Sequence, residues 1–345
     1  MYKRQIADWA AQIADVRAAG REVLVVTSGA VAEGSARLGW RARPASLNQL
    51  QAAAAIGQMG LVRGWELALS ESGLLAAQIL LTHEDIANRE RYLNSRSTLL
   101  TLLQLGVVPV INENDTVATE EIKLGDNDTL AGMVSNLVDA DLLVILTDQD
   151  GLMTADPRQD PAATLISFAP ADDARLGVIA GDGGAWGRGG MRTKVTAARL
   201  AARSATSTLI ASGRSPGVLR RIADAQSVGT LLLAPATELA ARKQWLASTL
   251  HVRGSLRLDP GACHVLREQG KSLLAVGVTA VEGAFERGEL VSCVDPQGHE
   301  LARGLVNYSA AETALIKGLP SSKFEQALGY LRDLELIHRD NLALV

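Results

Sequence analysis

Ile6, Trp9, Ile13 and Val16 recur at the spacing of one helix face, and Gly20 provides a stop before EVLVVTSG, an apolar run that ends in a turn of small residues. The pattern continues with a short helix over Ala30 to Leu38, closed by Gly39, and a long Ala-rich helix over Leu47 to Leu69. AAQILL then reads as a short strand. THEDIANRERYLNSRSTLLTLLQL reads as a helix whose Thr82 and Asp85 have capping-box spacing. The helix ends at Leu105, Gly106 stops it, and the β-branched run Val107 to Ile111 reads as a buried strand. TLAGMVSNLVDA is amphipathic at helical period, DLLVILTD is a continuous apolar run of strand length, and TSTLIAS repeats that texture at 206–212. Strands and helices in alternation predict an α/β fold, a three-layer αβα sandwich with a mostly parallel sheet.

Near Ala236 to Arg253 the texture changes. From Gly254 onward, short strands are separated by turn signals at DPGA, EQGK, ERGE and DPQGHE, the pattern of a small β-rich barrel or module. The expected division is a first domain over 1–240 and a second over 253–335. With 345 residues, 47% hydrophobic and 21% charged, the chain has material for about two globular domains and is neither disordered nor fibrous. Its net charge is -4, and the part from Arg253 holds 10 Lys and Arg against 12 Asp and Glu. Neither part is a basic footprint for nucleic acid or anionic membrane, which turns attention to small-molecule chemistry. Cys263 and Cys293 are the only cysteines, without metal-ligand spacing, and read as buried thiols of a reducing compartment. The opening MYKRQIADWA lacks a signal-peptide core and no segment has the ~18 apolar residues of a membrane span, so a cytoplasmic protein is expected.

Candidate chemistry concentrates at four places. Between Pro109 and Asp128, PVINENDTVATEEIKLGDND carries Glu113, Asp115, Glu120, Glu121, Asp126 and Asp128 against one cation, Lys123. Two like charges ~4 Å apart repel by about 4 kcal/mol at an effective dielectric near 20, so ordered acids need spacing or matching cations. By count alone a solvated acidic loop explains the stretch; its place beyond the end of a parallel strand, where open α/β sheets bind ligands, argues for a site. In VVTSGAVAEG, Ser28 and Gly29 end a strand and begin a helix, either an anion site or an ordinary N-cap. In LLVILTDQDGLMTADPR, Thr147 and Asp148 close the apolar strand, which also suits a plain tight loop. GDGGAWGRGGMRTK is rich in glycine and runs into a helix at Lys194; it can present N–H groups and one charge to phosphates, or be a surface loop. It contains no GK[ST], so it is not a Walker A sequence. Taken together, the four suit ATP-dependent phosphorylation of an amino acid. A carboxylate acceptor, which ordinarily ionises at about pH 4.3, needs no general base. Alignment and charge neutralisation suffice.

VVTSGAVAEG, PVINENDTVATEEIKLGDND, LLTDQDGLMTADPR and GGMRTK resemble, in order and spacing, the motifs of the glutamate 5-kinase family, an amino-acid-kinase domain followed by a PUA domain. The resemblance covers nearly the whole chain. It implies transfer of the ATP γ-phosphoryl group to the side-chain carboxylate of L-glutamate, the first step of proline biosynthesis, with Mg2+, a homo-oligomeric assembly and feedback inhibition by proline. Carried over, Ser28, Asp115 and Asn127 resemble the glutamate-binding residues, Asp115 taking the α-ammonium and Ser28 and Asn127 the carboxylates. Thr147 and Asp148 resemble the nucleotide-site pair, and Arg188, Gly189, Gly190, Met191, Arg192, Thr193 and Lys194 the ATP loop. Lys194 and Asp148 are the expected catalytic residues. No metal ligand is assigned. Asp126 and Asp128 are expected to shape the turn around Asn127, with Asp126 a second ligand contact; Glu120 and Glu121 have no expected task. Another amino-acid kinase, acting on aspartate or acetylglutamate, is the enzyme alternative, and the PUA-like module argues against it. PUA also implies RNA binding, which the local charge does not favour; a regulatory or assembly role is preferred.

Two departures from the family stand out. The family begins with a strand carrying a lysine and a Gly-Ser or Gly-Thr turn, whereas this chain starts on a helix; the expectation is an N-terminally truncated domain of poor stability and little kinase activity. Arg188 stands where the family usually has a small or hydroxyl residue, adding a phosphate contact or remaining solvated.

Overall fold

Helix α1 (Tyr2–Ala18) turns Ile6, Ala10 and Ile13 inward against Trp65, Leu69, Val108 and Val110, so the period read in the sequence is the buried face. The computed structural model describes residues 2–118, 127–156, 160–180, 190–235 and 252–344. These fall into two units, one of 2–87 with 95–235 and one of 88–94 with 252–344.

In the first unit, β1 (Val25–Val26) leads through Gly29 into α2 (Ala30–Arg37) and then α3 (Leu47–Ser70). Gly29 has φ 101, a conformation that favours glycine and turns the chain sharply from strand to helix. After β2 (Ala76–Leu81), the expected single helix is broken into α4 (His83–Ala87) and α5 (Arg89–Gln104). Thr82 and Asp85 cap its start reciprocally, each side chain accepting from the other's backbone N–H at 2.8 and 3.1 Å. β3 (Val108–Glu113), buried along its whole length, is central to a parallel sheet of order β1-β3-β2. α6 (Asn127–Val138) and β4 (Leu142–Thr147) follow.

A second sheet has the order β4-β6-β7-β5, with β5 (Phe168–Pro170), β6 (Ser207–Ser212) and β7 (Thr230–Leu233); α7 (Arg175–Ile179), α8 (Met191–Ala201) and α9 (Val218–Ala223) complete the unit. Only β6 and β7 pair antiparallel among the described strands here, so the mostly parallel α/β architecture stands. It is laid out as two sheets rather than one. EVLVVTSG contributes only two paired residues, because Thr27 leaves the ladder after its N–H donates to Ile111 at 2.8 Å.

The second unit is built on a sheet of order β12-β11-β10-β8-β9, from β8 (Gly254–Leu258), β9 (Val278–Gly283), β10 (Leu290–Val294), β11 (Glu300–Leu305) and β12 (Leu342–Leu344). Its core includes Leu256, Leu258, Val291, Cys293, Tyr308, Phe324 and Ile337. DPGA is not a turn between strands: the Asp259 side chain accepts from Ala262 N–H at 2.7 Å and Pro260 starts α10 (Pro260–His264). DPQGHE is a turn, linking β10 to β11, its Asp295 carboxylate accepting from the N–H groups of Gln297 and His299 at 2.9 Å.

Candidate functional site

Strand ends of the first unit carry most of the candidates, and α6 joins them. Asn127 begins α6, and its Nδ2 donates to the Thr27 carbonyl and, at 2.6 Å, to Asn112 Oδ1. Thr27 directly precedes Ser28, which is exposed just before the α2 turn. Thus Thr27, just beyond β1, Asn112 on β3 and Asn127 on α6 meet, although 100 residues separate Thr27 from Asn127. A carbonyl oxygen can only accept, so Thr27 fixes which end of the Asn127 amide is nitrogen. Both amide hydrogens are then engaged, and what Asn127 can offer a ligand is Oδ1, an acceptor. That suits an ammonium rather than the carboxylates to which the sequence reading assigned it.

Asp115, two residues beyond β3, is half-buried. Its carboxyl is pushed up to about 7, first by burial and then by the neighbouring negative charge of Glu113, with Arg43 pulling the other way. Glu113 itself is 5% exposed, its Oε1 3.7 Å from His83 Nδ1. A carboxylate pair under this strain is a place where a ligand cation would be strongly favoured.

Asp128, the next residue along α6, faces the other way. Its Oδ2 accepts from Lys194 Nζ at 2.8 Å and from Thr193 Oγ1 at 2.7 Å. The expected turn-shaping role is therefore replaced by an ion pair that fixes the orientation of a lysine only 8% exposed. Lys194 lies in the first turn of α8, at the helix start where the sequence places it. Gly190, extended at φ -85 and ψ -178, provides the cap without a side-chain bond, and its carbonyl accepts from Thr193 N–H at 3.2 Å. Met191 and Thr193 are half-buried and Arg192 is exposed. Arg188 and Gly189 lie outside the described residues, as do Glu120, Glu121, Lys123 and Asp126.

Thr147 closes β4 opposite Ser212 of β6, its carbonyl accepting from Gly213 N–H at 2.8 Å. Its hydroxyl is 3.3 Å from Asp148 Oδ1, and Asp148 is exposed at the strand's C-terminal end. The pair thus stands at the edge where parallel sheets receive ligands.

Sequence reading left Gln58 out and gave Asn112 and Glu113 no task. Gln58 did carry a signal: it is the polar member of the buried α3 stripe Leu50, Ala54, Leu61, Trp65 and Ala68. Asn112, 1% exposed, and Glu113 are polar residues ending an otherwise apolar buried strand.

Comparison with known proteins finds two family matches along the chain. The amino acid kinase family matches residues 3–212 and the PUA domain residues 254–328. A glutamate 5-kinase of Burkholderia multivorans is 60% identical over 341 residues, 99% of this chain and 92% of that protein. A glutamate 5-kinase of Paraburkholderia phymatum is 58% identical over the same length, with the same coverage. Among solved structures, a UMP kinase from Bacillus anthracis aligns with a TM-score of 0.45 at 15% identity, covering 67% of this chain and 87% of that one.

Proposed function

The chain belongs to the glutamate 5-kinase family, and from that premise we propose how its site is divided between the two substrates. Its reaction is ATP-dependent phosphorylation of the side-chain carboxylate of L-glutamate to L-glutamyl 5-phosphate, the first step of proline biosynthesis. Asp115 takes the α-ammonium of glutamate, helped by the Oδ1 of Asn127, and Ser28 with the N–H groups beginning α2 takes carboxylate oxygen. Lys194 and the N-terminal turn of α8 take the transferring phosphoryl, and Thr147 with Asp148 takes the nucleotide.

The observation that carries this division is the start of α6. Asn127 is tied to the Thr27–Ser28 corner while its neighbour Asp128 is tied to Lys194, so one helix end positions the acceptor site against the phosphoryl site. Phosphoryl transfer asks chiefly for such positioning and for charge neutralisation. The acceptor carboxylate attacks already ionised, and Lys194 balances charge on the phosphoryl oxygens as it moves between donor and acceptor.

Magnesium is part of the proposal and would enter with the nucleotide. Among the described residues no cluster of three His, Cys, Asp or Glu could hold a metal by itself. An ion held by one or two carboxylates and the phosphates would neutralise phosphate charge. A cytoplasmic location accords with the two free, buried cysteines, and no described helix is long and apolar enough to cross a membrane. Homo-oligomerisation and inhibition by proline belong to the same reading; gel filtration and a proline titration of the activity test them. RNA binding by the second unit is not favoured, and an RNA affinity that fell steeply with salt would restore it.

The division of the site is tested by ADP release from a panel of amino acids. Glutamate should be the acceptor in the wild type, and Asp115→Asn should raise the glutamate KM far more than the ATP KM. Equal effects on both substrates would overturn the assignment of Asp115, and preference for aspartate would overturn the specificity.

A further inference from the structure

The Asn127 amide is the near end of a buried relay. Asn127 Nδ2 donates to Asn112 Oδ1 at 2.6 Å, and Asn112 Nδ2 donates to Gln58 Oε1 at 2.5 Å. The Thr27 carbonyl, which must be met by a donor, sets the direction of the whole chain: Asn127 nitrogen inward, Asn112 oxygen toward it, Asn112 nitrogen away, Gln58 oxygen to receive it. The relay ends there. Among the described residues Gln58 Nε2 is buried with no hydrogen-bond partner, in a residue 9% exposed.

An orphaned buried donor is a stability defect, and native proteins carry few of them. Leu or Met would fill the same position on α3 without it. The place is otherwise tightly built. A Cβ on Gly57 would run into the carbonyl oxygen of Ala30 and a Cβ on Gly34 into that of Ala53, so the backbones of α2 and α3 touch beside Gln58. Seven residues further along α3, Trp65 Nε1 donates to Thr27 Oγ1 at 3.3 Å. Helix α3 thus holds both ends of the arrangement, Thr27 through Trp65 and Asn112 through Gln58.

We propose that Gln58 is a positioning residue for the substrate amino acid, acting through Asn112 to hold in place the Asn127 amide, whose orientation the Thr27 carbonyl sets. This rests on reading Asn127 as a glutamate contact. Without an acceptor at position 58, the Asn112 amide loses one of the two side-chain bonds that fix it, and its hold on the Asn127 side chain loosens.

The test is steady-state kinetics on the full-length chain, with glutamate and ATP varied separately, for Gln58→Met, Gln58→Glu, Asn127→Ala and the double variant Gln58→Met/Asn127→Ala. Gln58→Met should raise the glutamate KM about tenfold with the ATP KM and kcat within about twofold, the size expected for a broken buried hydrogen bond. Gln58→Glu keeps an oxygen where Asn112 donates and should return the glutamate KM to within about threefold of wild type. In the Asn127→Ala background the Gln58→Met effect should vanish, as coupled residues require.

A merely structural role would lower the melting temperature, move both KM values together and persist in the Asn127→Ala background. That pattern would overturn the proposal. If Asn127→Ala raises the glutamate KM and Gln58→Met does not, this inference alone fails. If Asn127→Ala leaves that KM unchanged, the underlying reading of the site fails first. Should Gln58→Met not fold, Gln58→Glu decides: a glutamate KM raised tenfold or more with the ATP KM unmoved would count against an acceptor being what matters.

Discussion

Replacing Asp115 by Asn should make the protein more stable above neutral pH while impairing glutamate binding. The Asp115 carboxyl is raised from 3.8 to about 7 by burial and by Glu113, against the opposing pull of Arg43. A group whose folded pKa is raised binds its proton more tightly when folded. Its stabilising contribution is therefore complete below pH 3.8 and is lost as pH climbs to about 7. The full shift corresponds to at most about 4 kcal/mol, and partial exposure reduces this to about 1–2 kcal/mol. At pH 8 the ligand-free wild type carries that cost and the Asn variant does not. For a unit of this size the variant should melt about 3–6 °C higher at pH 8 and within about 1 °C of wild type at pH 4.

Saturating glutamate should close the pH 8 gap, because its ammonium supplies the missing positive charge. The glutamate KM of the wild type should rise about tenfold from pH 8 to pH 6 as Asp115 takes up its proton. His83, 3.7 Å from Glu113, is present in both proteins and so is common to the comparison. Differential scanning calorimetry across pH, with and without glutamate, reads the melting temperatures, and initial rates at varied glutamate read the KM. Equal melting temperatures for the two proteins at pH 8, or a wild-type KM flat between pH 6 and 8, would refute the argument.

Three further substitutions probe separate parts of the molecule. Lys194→Met should lower kcat by about 10²–10³ with a small change in glutamate KM, since the lysine acts on charge in transfer; a KM effect with kcat retained would place it in substrate binding instead. Gly57→Ala forces α2 and α3 apart where their backbones touch and should cost about 1–3 kcal/mol in urea unfolding while raising the glutamate KM through displacement of Ser28. In the second unit, Tyr308 donates its hydroxyl to the Asp333 carbonyl at 2.5 Å and accepts from the Asp333 N–H at 2.9 Å. Tyr308→Phe should therefore lose about 1–2 kcal/mol, read by thermal unfolding, with kinetic constants unmoved.

Local chemistry made the elements legible and left the site half-read. Apolar runs marked β2, β4 and β6; β6 is buried along nearly its whole length, as such a run predicts, while β2 and β4 are mostly half-buried. The α1 and α3 helices were equally plain from their period. Errors fell where a short-range signal had a second use. Asp-Pro-Gly serves as readily for an N-cap followed by Pro as for a strand-to-strand turn, and it is the former at Asp259. The apolar run before Thr27 looked like a full strand, yet only Val25 and Val26 pair with β3.

The acidic stretch shows most clearly why the site resisted reading. Counted along the sequence, its acids face one lysine, and most looked like solvated charge. In the fold their counterparts arrive from elsewhere: Lys194 for Asp128 across 66 positions, His83 beside Glu113, and Arg43 acting on Asp115. Arg43 does not suffice for Asp115, whose carboxyl stays raised, so this acid retains a demand for positive charge that a substrate ammonium can meet. A count of neighbouring charges cannot distinguish an acid neutralised by tertiary structure from one held in deficit. That distinction separates Asp128, already paired with Lys194, from Asp115, whose carboxyl is still raised and which on the proposed reading is left for the ligand.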